Sequence, residues 1–182
     1  MNAAHLQMQF EFFIIVMVFV GVLSLINLIF CLFQVADQIL HAKPNVESCY
    51  IAAQTMRTKI QTKFHEVPPE AHESLRDSLF EHLLNVDEHM SPAIITQLSV
   101  AMADLILLMP EWKGAVNDLM MRLKPSKPWV LLEVLVVLPE EISSRHLRLG
   151  ANRRNEATDE LKANAAQVTD FLKGCIKFNS YQ

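Results

Sequence analysis

The densest group of chemically capable side chains is basic. Arg145, Arg148, Arg153 and Arg154, with His146 among them, fall inside the stretch LPEEISSRHLRLGANRR. Guanidinium groups clustered this closely could grip an acidic protein surface or a phosphate. Arg153 and Arg154 fall near the expected start of a helix, where each cation opposes the macrodipole by about 0.3–1 kcal/mol. A cost of that kind suggests a use. The same arginines could instead pair with Glu140, Glu141 and Glu156 in a solvated loop. A second group is acidic: Glu73, Asp77 and Glu81 at four-residue steps, with Arg76 beside them. On a helix that spacing puts the three carboxylates on one face. Such a ladder could meet basic residues of a partner, setting rate and specificity more than affinity. A solubilising face is the plainer reading.

The combinations that catalysis needs do not occur. His72-Glu73 is followed by Ser-Leu-Arg, so there is no HExxH pair. His82 and His89 could share a helix face, but His89 falls at a helix end. No Cys or carboxylate stands at metal-ligand spacing, so neither a metal nor another cofactor is expected. The serines lack a nucleophile elbow, and no Gly motif that cradles phosphate is present. The chain therefore reads as a non-enzyme. With a net charge of −4 it lacks the broad basic excess of a nucleic-acid binder. Cys31, Cys49 and Cys175 are odd in number and unpatterned, as reduced cytosolic thiols are.

The elements that must position these groups are helices. Asn45 is a good N-cap, and the helix after it aligns Val46, Cys49, Ala53, Met56, Ile60 and Phe64 in steps of three and four. Val67-Pro68-Pro69 ends it. A second helix aligns Ala71, Leu75, Leu79, Leu83 and Val86. Ser91-Pro92 opens a third, with Ile95, Leu98, Met102, Leu105 and Leu108, and Met109-Pro110 closes it. A fourth carries Trp112, Val116, Leu119 and Leu123. A fifth, Trp129 to Leu138, is apolar nearly all round and should be buried as a short helix between Pro128 and Pro139. The last, beginning after Asn152 or Asn155, aligns Ala157, Leu161, Ala165, Val168, Leu172 and Cys175. Trp112 and Trp129 are expected to fill the space between helix pairs.

Helices starting near Glu70, Glu111 and Asn152 recur at roughly 41 residues, within the range of HEAT and armadillo arrays. These read as the second members of three pairs, the first members starting near Val46, Pro92 and Trp129. The expected fold is all-α: a HEAT-type α-solenoid fragment of about three helix pairs, preceded by a long hydrophobic helix. A compact six-helix bundle is the alternative.

That preceding segment is FFIIVMVFVGVLSLINLIFCLF, residues 12–33, which contains no charged residue. A helix of that length rises roughly 33 Å, enough to cross a hydrocarbon core of about 30 Å. Lys43, Arg57, Lys59 and Lys63 follow it, so a spanning segment would leave the C-terminal portion in the cytosol. The expected division is 1–34 as a hydrophobic segment and candidate membrane helix, 35–177 as the helical-repeat domain, and 178–182 as a tail.

The irregular words VESCYIAAQTM and LPEEISSRHLRLGANRR, with SLRDSL and ITQLSVAMADLILLMPEWKG between them, resemble transportin-SR-like nuclear import receptors of the importin-β superfamily. The resemblance runs from about Val35 to about Ile176. It departs at the front, where the family's amphipathic first repeat gives way to the apolar run. The resemblance implies a HEAT-repeat receptor located in nucleus and cytoplasm. Its N-terminal repeats would contribute to binding the Ran GTPase in its GTP form. Cargo with Arg-Ser-rich segments binds further along in that family, and nucleoporins are further partners. This chain would retain part of a Ran-binding arc and little of the cargo surface, with no nucleic-acid partner. Glu73, Arg76, Asp77 and Glu81, and Arg145, Arg148, Arg153 and Arg154, are the candidate partner-binding residues. The competing reading is a single-pass membrane protein that displays a helical repeat to the cytosol as a scaffold.

Overall fold

The computed structural model describes residues 25–87 and 89–179, with side chains placed for residues 31–175 apart from Glu88. It is helical throughout, with no strand among the described residues. The helices are α1 (Leu25–Ala42), α2 (Val46–Lys63), α3 (Pro69–Leu84), α4 (Pro92–Leu108), α5 (Ala115–Leu123), α6 (Pro128–Ser143), α7 (Ala151–Ala163) and α8 (Ala165–Asn179).

Local chemistry sets the boundaries. Asn45 caps α2 by accepting from the Ser48 amide at 2.7 Å, which satisfies one of the orphan donors of the first turn. Proline begins α3, α4 and α6, where its missing N–H has no intrahelical partner to lose. Gly114 precedes α5 with φ of 74°, the left-handed region that a side chain disfavours. Asn164 ends α7 by donating from its side chain to the Glu160 carbonyl at 2.9 Å. The single C-terminal helix expected from the sequence is therefore two helices, because Asn164 bonds back to the turn before it.

The helices form two rows. α2, α4 and α6 pack directly side by side, whereas α1, α3 and α5 touch one another only slightly. α1 packs along α2, α3 against α4, and α5 against α6. The pairs are thus α1–α2, α3–α4 and α5–α6, followed by α7 and α8. This agrees with a HEAT-type array but reverses the expected frame: the helix from Val46 closes a pair instead of opening one. Periodicity gives the spacing of a repeat and leaves its phase open. α2, α4 and α6, which pack most closely, make the inner row of the stack, and α1, α3 and α5 the outer row. α3, with its acidic ladder, stands in the outer row.

α4 lies at the centre, with α2 and α6 on its flanks and α3 behind. It is buried from Ile94 to Leu107 except at Thr96 and Gln97. Around it Met56, Ile60, Leu79, Phe80, Leu119, Val130 and Val134 are each at most 1% exposed. Side chains of this kind contribute about 1.5–3 kcal/mol each by leaving water.

Several expectations need correction. Val46 is 55% exposed, in the first turn of α2. α6 is not buried all round: Val136 is 59% exposed and Trp129 39%. Of the two tryptophans only Trp112 fills space between helices, with its ring edge against Phe80 at 5.8 Å and its Nε1 donating to Asp118 at 2.9 Å. α6 also continues through Pro139 to Ser143. The proline removes a single amide from the ladder, while Leu138 and its buried neighbours hold the helix against the core.

Most of the proposed span at 12–33 lies outside the described residues. Among the described residues, no helix is long and apolar enough to cross a membrane. α1 runs continuously across the expected boundary at 34/35. Phe33, at the end of the apolar run, is buried in the same core as Ala36 and Leu40. Its apolar character is satisfied by protein.

Candidate functional site

The polar side chains that matter join one repeat to the next. Their hydrogen bonds link residues 37 to 47 positions apart, one repeat length.

On the inner row two polar rungs cross the parallel helices. In the first, Arg57 of α2 donates to Gln97 of α4 at 3.2 Å, and Thr96 of α4 donates to Glu133 of α6 at 2.7 Å. In the second, Asp104 of α4 is fully buried, with Gln61 and Arg57 of α2 on one side and Glu141 of α6 on the other. Neither Asp104 oxygen has a partner of normal hydrogen-bond geometry. Burial, reinforced by the Glu141 charge, pushes its pKa up to about 8. Beside these rungs the solvent-facing stripe holds Ile51, Gln54 and Thr58 of α2, and Trp129, Val136 and Glu140 of α6. Ile51 and Val136 are about 60% exposed. With Val46 at 55% and Trp129 at 39%, they are the exposed large apolar side chains of this row among the described residues.

On the outer row the candidate ladder is already engaged. Asp77 accepts from Arg76 at 3.2 Å and from Arg122 of α5 at 2.9 Å. Burial alone would raise its pKa, but the two guanidinium groups outweigh that and hold it low. Arg76 also lies over the Trp112 ring at 5.5 Å. Glu81 accepts from His41 of α1 at 3.1 Å. Glu73 is left largely to solvent, 3.9 Å from Arg76.

The four arginines divide. Arg153 donates to the carbonyls of Ile106 and Leu107 at 2.7 and 3.0 Å, and to Glu156 at 3.2 Å. It thereby closes the last turn of α4, whose carbonyls lack intrahelical donors. Arg154 donates to the carbonyls of Ile142 and Leu147, fixing the loop that leaves α6. Arg145 and Arg148 are exposed in that loop. The cost of placing Arg153 and Arg154 at the start of α7 is offset by acceptors on other helices. Glu156 is the only one of the three anticipated carboxylates with an ion pair to these arginines.

The structure also assembles a group that the sequence reading passed over. Asp37 and His41 of α1 meet His82 of α3, and one potential metal-ligand atom from each lies within 4.8 Å of the others. His82 Nε2 donates to Asp37 Oδ1 at 2.8 Å, and Ser78 Oγ donates to the same oxygen at 2.6 Å. The His41 and His82 rings meet edge to face at 4.6 Å. Burial lowers the pKa of His82 despite Asp37. His41 is raised, first by its bond to the Asp37 carbonyl and then by Glu81. The signal available in the sequence was the Asp37–His41 pair at one helical turn. His82 lies 41 residues beyond His41, one repeat away.

The molecule is thus a stack of helix pairs whose polar groups serve repeat-to-repeat contact, the arrangement of a helical-repeat protein. Residues 91–182 match the exportin 1-like protein family, and residues 31–85 match the importin-β N-terminal domain. Transportin MOS14 of Arabidopsis thaliana is 34% identical over 153 residues, covering 80% of this chain and 16% of the relative. The mRNA transport regulator MTR10 of Saccharomyces cerevisiae is 35% identical over 130 residues, covering 69% and 13%. Importin-13 of Homo sapiens is 32% identical over 120 residues, covering 60% and 12%. The chain belongs to the importin-β superfamily, as a segment of the transportin-like kind. It spans 16% or less of the length of these relatives.

Proposed function

We propose that the chain is the N-terminal part of a nuclear transport receptor moving between cytoplasm and nucleus, and that its inner helix row contributes to docking the Ran GTPase in its GTP form. The observation that carries this reading is the exposed apolar side chains of two inner-row helices. α2 leaves Ile51, and α6 leaves Trp129 and Val136, exposed among the described residues, within a chain that matches the importin-β N-terminal domain. Exposed apolar side chains beside polar ones are the composition of an interface core with its rim. Arg145 and Arg148 are assigned to contact with an acidic partner surface, and Glu73 to the solvent side of the outer row.

The test is biolayer interferometry of the purified chain against Ran loaded with GTP or GDP. Binding to the GTP form is expected, with little to the GDP form. The double substitution Ile51→Asp, Val136→Asp should weaken it at least tenfold, while Glu73→Lys leaves it unchanged. Equal binding of both nucleotide states, or an unaffected inner-row variant, would overturn the assignment.

A further inference from the structure

We infer that Asp37, His41 and His82 form a binding site for a divalent transition metal of zinc's coordination preference, which clamps α1 to α3.

The donor set is two imidazoles and a carboxylate, which together suit Zn²⁺ with a water in the fourth position. Zn–N and Zn–O bonds of about 2.0–2.2 Å in a tetrahedron put neighbouring ligand atoms about 3.3–3.6 Å apart. Here His82 Nε2 stands 2.8 Å from Asp37 Oδ1 and His41 Nδ1 3.6 Å from Asp37 Oδ2, with one ligand atom of each residue within 4.8 Å of the others. Side-chain shifts of about an ångström would close the site.

The surroundings are those of a built site. His41 Nδ1 bonds to the Asp37 carbonyl at 2.9 Å and would exchange that bond for the metal, leaving the proton on Nε2, which faces Glu81 Oε1 at 3.1 Å. A carboxylate holding the far nitrogen of a ligating histidine fixes its tautomer and strengthens it as a donor. Ser78, donating to Asp37 at 2.6 Å, orients the carboxylate in the same way. His82 is 5% exposed, so its ring is held in place by the packing around it. His41 and Asp37 are open enough for an ion to enter. The location gives the site a use: α1 and α3 pack less closely than the inner-row helices, and a metal there would add a tie to the hydrogen bonds that join them.

The experiment is titration of the purified chain with Zn²⁺ by calorimetry, and with Co²⁺ by absorption spectroscopy, in buffer without chelators. One ion per chain is expected, with a dissociation constant below about 10 µM. The Co²⁺ spectrum should be that of a nitrogen–oxygen site, free of thiolate charge transfer. At about 100 times that constant, Zn²⁺ should raise Tm by roughly 5–11 °C. His41→Ala, which removes an exposed side chain, should weaken binding at least tenfold with an unchanged circular dichroism spectrum. Glu81→Gln should weaken it about tenfold. Millimolar affinity, a thiolate band, or full affinity in His41→Ala would each overturn the site.

Discussion

Replacing Asp104 with asparagine should make the protein more stable at neutral pH, by an amount that depends on pH in a set way. Asp104 is fully buried between Gln61 and Glu141, and its pKa stands at about 8 against an ordinary 3.8. Between those two values the folded protein keeps a proton that the unfolded chain releases. The folded state then binds more protons than the unfolded one, so stability falls as pH rises through this window. The contribution of the protonated carboxyl is complete below about pH 4 and lost by about pH 8. Each pH unit inside the window carries about 1.4 kcal/mol, so by pH 7 the penalty approaches 4 kcal/mol. Asparagine has the shape of the protonated acid and carries no charge to desolvate at any pH. Asp104→Asn should therefore match the parent near pH 4 and exceed it by up to about 4 kcal/mol at pH 7. For a chain of this size that is a Tm rise of roughly 8–16 °C. Thermal and urea unfolding at pH 4, 5, 6, 7 and 8, run on both proteins, would show the two stability curves diverging. Parallel curves, or an asparagine variant less stable than the parent at pH 7, would refute the reasoning.

Two further outcomes follow from the inter-repeat bonds and caps. Arg153→Ala strips two donors from the α4 carbonyls and should cost about 2–3 kcal/mol in urea unfolding. Arg145→Ala, in an exposed loop position, should change stability by less than about 0.5 kcal/mol in the same assay. Asn45→Ala removes the α2 cap bond and should cost about 1 kcal/mol, seen as a lower urea midpoint at unchanged slope.

Much of the fold was legible because each helix announces its own ends. Asn45, Pro92 and Met109-Pro110 mark boundaries that the structure keeps, and the buried stripes of α2 and α3 follow the expected steps. What was not legible depends on neighbours. Pro139 looks like a terminator until the burial of Leu138 and Val137 is known. Val46 fits the apolar period of α2 but sits before the helix reaches the core. α6 reads as buried all round because its inner stripe is apolar too, as it would be for a surface that another protein covers.

The site residues failed for a related reason, and it bears on how such arrays are read. Clusters close in sequence, such as Arg145 to Arg154, invite a reading as one patch, yet in a repeat stack the neighbours of a side chain lie about one repeat away. Arg153 meets Ile106 and Leu107, Asp77 meets Arg122, and His82 meets Asp37, at separations of 45 to 47 residues. A charged pair offset by one repeat is therefore a better guide to contact here than a charge run. The same geometry makes phase decisive. With α2 read as the opening helix of a pair, Asp77 and Glu81 look free to meet a partner. With α2 paired with α1, the acidic residues are seen as ties between outer-row helices. The choice between those frames rests on which helices pack side by side, a property of the stack that no single helix carries in its sequence.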